Sequence, residues 1–379
     1  MRVMVRFCTR YWSVIVPLLA ALVLAASWGR HLGPILVTIV TLALVGAVLA
    51  AVHHAETVAH RVGEPFGSLI LAVAVTIIEV GLIVTLMISS GEKAASLARD
   101  TVFAAVMITC NGIFGLSLLV GALRRRVAVF NAEGTGAALA TVATLATFTM
   151  VLPTFTTSEP GPVFSGAQLA FAAVASLVLY GVFVMVQTVR HPDDFLPVEA
   201  TAGLGGGAAG IAGGSAAADE DEHDEPPSAR RALISLGLLL VALVGVVGLA
   251  KTVSPSIESG IAAAGLPQSA VGVVIALLVL LPETIAAVRS ARRDRVQISL
   301  NLALGSAMAS IGLTIPAIAL ASIWIKGPLE LGLGSNQIVL LALTVVVGAL
   351  TVVPGRATLL QGCVHLVLFS GFVFLAVSP

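Results

Sequence analysis

Charged residues are scarce in this sequence. Only 11% of its 379 residues are charged, whereas a soluble globular protein usually has about 25%. Hydrophobic residues make up 58% of the chain, and the mean hydropathy is +1.05. This composition excludes a soluble globular domain and indicates an all-α, polytopic membrane protein whose main surroundings are lipid. The net charge is zero, so nothing points to a nucleic-acid partner.

Cysteine is also scarce. Cys8, Cys110 and Cys363 are far apart and form neither a CxxC motif nor a Cys/His pair with metal-ligand spacing. The sequence therefore indicates no disulfide framework and no zinc site. The sequence also has no evident phosphate-binding loop. We therefore expect no bound cofactor and no enzymatic activity.

Long apolar segments recur along the whole chain. Each is long enough to cross about 30 Å of hydrocarbon, and only helices or closed barrels satisfy their backbone groups in lipid. Because the segments lack the alternation of barrel strands, we predict eleven transmembrane helices. They lie near residues 12–28, 34–52, 66–88, 101–123, 135–157, 163–189, 231–250, 268–288, 297–325, 335–353 and 357–377.

The basic residues predict the orientation of these helices. If the N-terminus is cytoplasmic, 15 of the 20 Lys and Arg residues fall on the inner side, as the positive-inside rule requires. We therefore expect a multi-pass membrane protein with its N-terminus inside and its C-terminus outside. The oligomeric state stays open, and a signal peptide over the first 28 residues is the alternative to a first helix.

An acidic, glycine-rich stretch divides the chain. We predict an extra N-terminal helix in residues 1–30, a five-helix repeat in 31–190, a cytoplasmic linker in 191–229 and a second five-helix repeat in 230–379. Five helices per half force the halves into opposite orientations, so the repeats are inverted. The sequences RDTV at 99–102 and RDRV at 293–296 open corresponding helices. Transporters built in this way bind substrate at the midplane between the repeats.

Two carboxylates lie in the middle of apolar segments, one in each half. They are Glu79 and Glu283. An acidic residue at the bilayer centre costs about 2.5–3.5 kcal/mol on insertion scales, so it is a functional-site hypothesis by default. The alternative for each is a neutral, hydrogen-bonded packing residue. Two of them at matching positions predict a shared ion-binding site.

Further polar groups surround these two positions in the sequence. Thr76 precedes Glu79 by one helical turn, and Pro282 frees a carbonyl about one turn before Glu283 because it has no amide hydrogen. In the following helices the candidate residues are Thr109, Asn111, Gly112, Gly305, Ser306 and Ser310. Small residues also serve helix packing, so we regard Asn111 and Ser306 as the stronger candidates among them.

Four histidines lie inside or at the end of predicted helices. His53, His54 and His60 are near Glu56 and Glu64, where they form either a proton antenna or an interfacial charge cluster. His365 is expected to be a hydrogen-bonded packing residue rather than part of the site.

Carboxylate, hydroxyl and carbonyl oxygens suit a hard cation such as Ca²⁺. Burial disfavours the charged form of a carboxyl group, so the same pair can hold either protons or a cation, which is the physical basis of exchange. The alternatives are a sodium-driven exchanger and a cation channel. A channel needs rings of polar pore-lining residues, which are not evident.

Several motifs resemble those of the calcium/proton exchanger (CAX) family, bacterial branch. The first repeat has GEPFGSLIL at 63–71 followed by TIIEV at 76–80, and the second has PETIAAVRSAR at 282–292 followed by SLNLALGSAMASIGLT at 299–314. The resemblance covers the whole chain and implies antiport of Ca²⁺, and in some bacterial members Na⁺ or K⁺, against protons across the bacterial plasma membrane. It also implies that Glu79 and Glu283 are the metal ligands. The asparagine that precedes the family's glutamate is absent from both repeats, which leaves the substrate preference open.

Overall fold

The structure is a computed structural model that describes residues 2–30, 33–63, 66–90, 95–198, 227–267, 269–324 and 327–378. The acidic cluster at 219–225 of the predicted linker lies outside these residues, as does Glu64. The described part is almost entirely helical.

The first part of the chain forms six helices. They are α1 (Arg2–Ser27), α2 (Pro34–Val62), α3 (Phe66–Ser90), α4 (Leu97–Arg125), α5 (Ala132–Phe155) and α6 (Gly166–Arg190). A π-helical segment interrupts α4 at Ile108–Ile113, and others lie in α5 at Thr147–Val151 and at the end of α6 at Val186–Arg190. A short strand β1 (Val127–Val129) connects α4 to α5, and a 3₁₀ turn (Pro192–Phe195) follows α6.

The second part of the chain contains two broken helices. Its helices are α7 (Ala229–Ala263), α8a (Ser269–Val279), α8b (Leu281–Arg292), α9 (Val296–Ala321), α10 (Ser335–Val352) and α11 (Leu359–Val377). A short strand, β2 (Arg356–Thr358), lies between α10 and α11. The two parts of α8 meet at an angle of 52°. α9 is interrupted at Leu313, where its first part ends at Gly312 and its second begins at Thr314.

Local sequence signals account for the helix starts. Asn131 caps α5 by accepting from the amides of Glu133 and Gly134, and Ser165 forms a capping box with Gln168 at the start of α6. Two helices are longer than the sequence predicted. α2 continues through His53 and His54 to Val62, and α7 runs 13 residues past position 250, because helical structure does not have to stop where an apolar run stops.

The all-α, polytopic fold class predicted from the sequence is confirmed. Within the described ranges, nine helices are long and apolar enough to cross a bilayer, and counting α8a and α8b as one bent span gives ten. α1 adds a shorter apolar helix over Tyr11–Ser27. The number of eleven spans stays a prediction.

Two small strand contacts join the halves in a reciprocal pattern. β1, between α4 and α5, pairs antiparallel with β2, between α10 and α11. Val163, between α5 and α6, forms an antiparallel bridge with Glu330, between α9 and α10. The first contact lies on the predicted inner side and the second on the predicted outer side. An inverted repeat would exchange these two contacts, so the pattern agrees with that prediction, which nevertheless remains untested.

α4 occupies the centre of the helix assembly. In its apolar window 83% of the residues are buried, compared with 61% in α9. Glycine permits the closest contact of α4 with α11: a Cβ on Gly362 would lie 2.8 Å from the backbone nitrogen of Leu119, and one on Gly115 would lie 2.7 Å from the Cβ of His365. The backbones of α4 and α11 therefore meet directly at this point.

Replacing Gly362 by alanine should destabilise the protein, whereas the same change at Gly371 should not. A Cβ at Gly362 meets backbone atoms that cannot move aside, and overpacking of this kind costs about 1–3 kcal/mol. A Cβ at Gly371, on the same helix, meets nothing within 4 Å. Thermal unfolding of both purified variants in detergent measures the difference. Equal melting temperatures for Gly362→Ala and Gly371→Ala would contradict this packing.

Candidate functional site

Glu79 lies in the middle of α3, and its side chain is only 2% exposed. The hydroxyl of Thr314, at the start of the second part of α9, donates a hydrogen bond of 2.8 Å to its Oε2. Ser310, one turn earlier on α9, faces the same carboxyl group. The break of α9 at Leu313 therefore supplies hydroxyl groups to the carboxylate of the other half.

Glu283 lies in the first turn of α8b, directly after the break in α8. Pro282 cannot donate a backbone hydrogen bond to the preceding turn, which explains the bend at this position. The helix N-terminus carries a partial positive charge and free amides, which favour a carboxylate. The side chain is 8% exposed, and its buried Oε2 has no hydrogen-bond partner among the residues that the structure describes. A buried, unpaired carboxyl oxygen is uncommon and is suited to receiving a proton or a cation.

The two glutamates come together although about 200 residues separate them. Glu79 lies close enough to Glu283 to interact with it electrostatically, and so does Glu56 of α2. Among the described residues, no group of three or more His, Cys, Asp and Glu side chains has the geometry of a metal site. A cation at this pair would therefore complete its coordination with hydroxyl groups, carbonyl groups or water.

α9 leaves open space beside one predicted residue. A Cβ on Gly305 would have nothing within 4 Å in the described part of the chain, although Gly305 lies in the middle of a helix that is otherwise largely buried. The neighbouring Ser306 is half-buried, so its hydroxyl group lies beside this space.

Two other predicted residues use their polar groups within the protein. Thr76 donates from Oγ1 to the carbonyl oxygen of Ala72, at 2.8 Å. Asn111, which lies in the π segment of α4, donates from Nδ2 to Oγ1 of Thr344 at 2.9 Å. Thr109 is buried and donates to carbonyl oxygens of its own helix.

The Asn111 amide also contacts His365 of α11. Nδ1 of His365 lies 3.1 Å from Oδ1 of Asn111, and Nε2 lies 3.2 Å from Oγ1 of Thr351. His365 is 1% exposed. The expectation of a hydrogen-bonded packing residue agrees with these contacts, but its connection to Asn111 was not foreseen.

His53 and His54 lie where the C-terminal half of α2 packs against the N-terminal half of α1. Nε2 of His54 is 2.7 Å from the carbonyl oxygen of Ser13, and the ring of His53 lies between those of Trp12 and His54, at centroid distances of 5.3 and 5.6 Å. These contacts join α1 to α2.

Thr314 is the residue that the sequence reasoning missed. It lies four positions after Ser310, so the two side chains share one face of a continuous helix. That spacing was a usable signal, but the break at Leu313 and the approach to Glu79 depend on tertiary structure.

The sodium/calcium exchanger protein family model matches residues 32–189 and 234–378. The chain belongs to this family. It is 32% identical over 364 residues to the sodium-potassium/proton antiporter ChaA of Escherichia coli strain K12, covering 95% of this chain and 94% of ChaA. It is 44% identical over 371 residues to y4hA of Sinorhizobium fredii, which is named as an ionic transporter, covering 97% and 96% of the two chains.

Solved structures share the fold at low sequence identity. The structure of YfkE aligns with a TM-score of 0.69 and 14% identity, over 97% of this chain and 100% of YfkE. The crystal structure of the H⁺/Ca²⁺ exchanger CAX aligns with a TM-score of 0.67 and 16% identity, over 98% of this chain and 88% of CAX. The protein is thus a multi-pass membrane protein of a cation exchanger family whose members are transporters rather than enzymes.

The Thr314 hydroxyl should contribute to cation binding because it orients the Glu79 carboxylate. Thr314→Val removes the hydroxyl donor at this position while keeping the shape of the side chain. Loss of one such hydrogen bond is worth about 1 kcal/mol, which corresponds to about a five-fold loss of apparent cation affinity. Thr314→Ser keeps the hydroxyl and should stay close to the wild type. Concentration-dependent transport in vesicles measures both, and wild-type affinity in Thr314→Val would exclude this role.

Proposed function

We propose that the protein is a secondary antiporter that exports Ca²⁺ in exchange for protons at the Glu79–Glu283 pair. The observation that supports this most directly is the pairing itself. One buried carboxylate from each half lies within electrostatic range of the other, and within the described ranges Oε2 of Glu283 has no hydrogen-bond partner. Structural carboxylates in a membrane protein normally have all their oxygens paired.

The chemistry of exchange follows from competition for the same oxygens. Two carboxylates close together in a medium of low dielectric constant repel each other strongly when both are charged. Two protons or one divalent cation relieve that repulsion, but the protons and the cation occupy the same lone pairs. Binding of one therefore releases the other, and alternating exposure of the pair to the two sides of the membrane converts the proton gradient into cation transport.

Na⁺ and K⁺ are further candidate substrates. A relative with 32% identity is named as a sodium-potassium/proton antiporter, whereas a structural neighbour is described as an H⁺/Ca²⁺ exchanger. The charge of two carboxylates favours a divalent ion. In the described part of the chain, few additional fixed oxygen ligands lie near the pair. This favours a site that discriminates less strictly between Ca²⁺, Na⁺ and K⁺.

The other predicted residues take supporting roles in this proposal. Ser306 lies beside the open space at Gly305 and is a direct oxygen ligand. Pro282 sets the break that presents Glu283 at a helix terminus. Thr76 and Asn111 use their polar groups within the protein, so we assign them to the surrounding framework.

Transport in inverted membrane vesicles tests this function. We expect uptake of ⁴⁵Ca²⁺, Na⁺ or K⁺ driven by an imposed pH gradient, with proton release reported by a pH-sensitive dye. Glu79→Gln and Glu283→Gln should each abolish uptake and proton release, because each removes an exchangeable charge while keeping the side chain's size. Glu133→Gln changes an exposed glutamate of α5 and should leave both unchanged.

The same measurement separates the alternatives. A sodium-driven exchanger would transport Ca²⁺ with a Na⁺ gradient and without a pH gradient. A cation channel would carry current down the ion gradient without moving protons. Transport that persists in both glutamine variants would exclude the paired-glutamate site.

A further inference from the structure

A buried polar cluster connects the centre of α4 to α10 and α11. Its members are Asn111, Thr344, Thr351 and His365, none of which is more than 2% exposed. The contacts run from Oγ1 of Thr344 to the Asn111 amide, from there to the His365 ring, and on to Oγ1 of Thr351. The two glutamates do not belong to this cluster.

The hydrogen-bond pattern defines the protonation of His365. Asn111 donates from Nδ2 to Thr344, so its Oδ1 is the acceptor and Nδ1 of His365 must carry the hydrogen. Nε2 then accepts from the hydroxyl of Thr351 in the neutral ring. Thr344 passes its own hydrogen to the carbonyl oxygen of Leu340, at 2.8 Å. Every group of the cluster is therefore satisfied with a neutral imidazole.

The cluster holds an irregular part of the backbone. Asn111 lies in the π segment Ile108–Ile113, where one extra residue is accommodated in the helix. Such segments are less favourable than regular helix and persist where tertiary contacts hold them. α8b, which carries Glu283, and α9 pack against the π segment, as do α10 and α11.

We propose that His365 is a positioning residue for cation exchange. Through Asn111 it fixes the π segment of α4, and the π segment supports the packing of α8b and therefore the position of the Glu283 carboxylate. This inference rests on the proposed function, since it concerns the same carboxylate pair. It assigns His365 no proton to carry.

Three substitutions test this role in the full-length protein. His365→Leu removes both ring contacts. His365→Asn retains a donor at the place of Nδ1 and should rescue the contact with Asn111. Thr344→Val removes the partner of Nδ2, and Thr149→Val is its control, because Thr149 is equally buried and bonds only to the carbonyl oxygen of Leu145 within its own helix.

We expect His365→Leu to lower the maximal transport rate per folded molecule by about ten-fold, since small displacements of reacting groups have large effects on rate. His365→Asn should recover most of that loss, Thr344→Val should be impaired, and Thr149→Val should not. The pH profile of transport should keep its shape in all four variants. Folded protein is quantified by size-exclusion chromatography so that a loss of yield is not counted as a loss of rate.

Wild-type rates per folded molecule in His365→Leu and Thr344→Val would overturn the proposal. A shifted pH profile in His365→Asn would also overturn it, because His365 would then titrate during transport. If His365→Leu does not fold, Thr344→Val compared with Thr149→Val decides the question. Loss of transport in Glu79→Gln and Glu283→Gln, together with normal rates in the cluster variants, would reject this inference alone, whereas transport without both glutamates would reject the proposed function.

Discussion

Two carboxyl groups, those of Glu79 and Glu283, are buried among helices within electrostatic range of each other, and the surrounding structure is arranged to accommodate them. A charged group in a medium of low dielectric constant needs hydrogen-bond donors, a helix terminus or a counter-charge. Glu79 receives a hydroxyl from Thr314, and Glu283 lies at the start of α8b. Each of these solutions requires a helix of the second half to be broken, α9 at Leu313 and α8 at Leu280. The breaks are therefore best understood as part of the environment of the carboxylates.

The two halves treat their glutamates differently. α3 continues through Glu79 without interruption, whereas α8 changes direction by 52° just before Glu283. Proline is present at only one of the two positions, which accounts for the difference. As a result one carboxylate has a neutral hydroxyl donor and the other has an unpaired oxygen. The two carboxyl groups are therefore chemically unequal members of the pair.

The sequence was informative where a feature depends on local chemistry. Apolar length predicted the helices, the cost of burying charge singled out Glu79 and Glu283, and Pro282 indicated a free backbone carbonyl in α8 but not the 52° bend. It failed where the outcome depends on packing between distant segments. The π segment around Asn111 was not predicted, because the low helix propensities of Thr109, Asn111 and Gly112 do not distinguish a π segment from a weak stretch of regular helix. The contacts of Asn111 with His365 and of Thr314 with Glu79 join residues more than 230 positions apart, and a single sequence does not record such proximity.

The strand pairing of β1 with β2 and the bridge between Val163 and Glu330 have a mechanical consequence. They fasten the connections of α4, α5 and α6 to those of α9, α10 and α11 at opposite ends of the helices. Backbone hydrogen bonds at both ends resist sliding and rotation of α5 against α10 more than a single attachment would. Neither strand contact involves α1, α2, α3 or α7; α1, α2 and α7 pack against one another, and α3 packs against α2, α7 and α9. Strand contacts thus join the two halves at both ends of α5 and α10, whereas in the described part of the chain no strand contact restrains α1, α2 or α7.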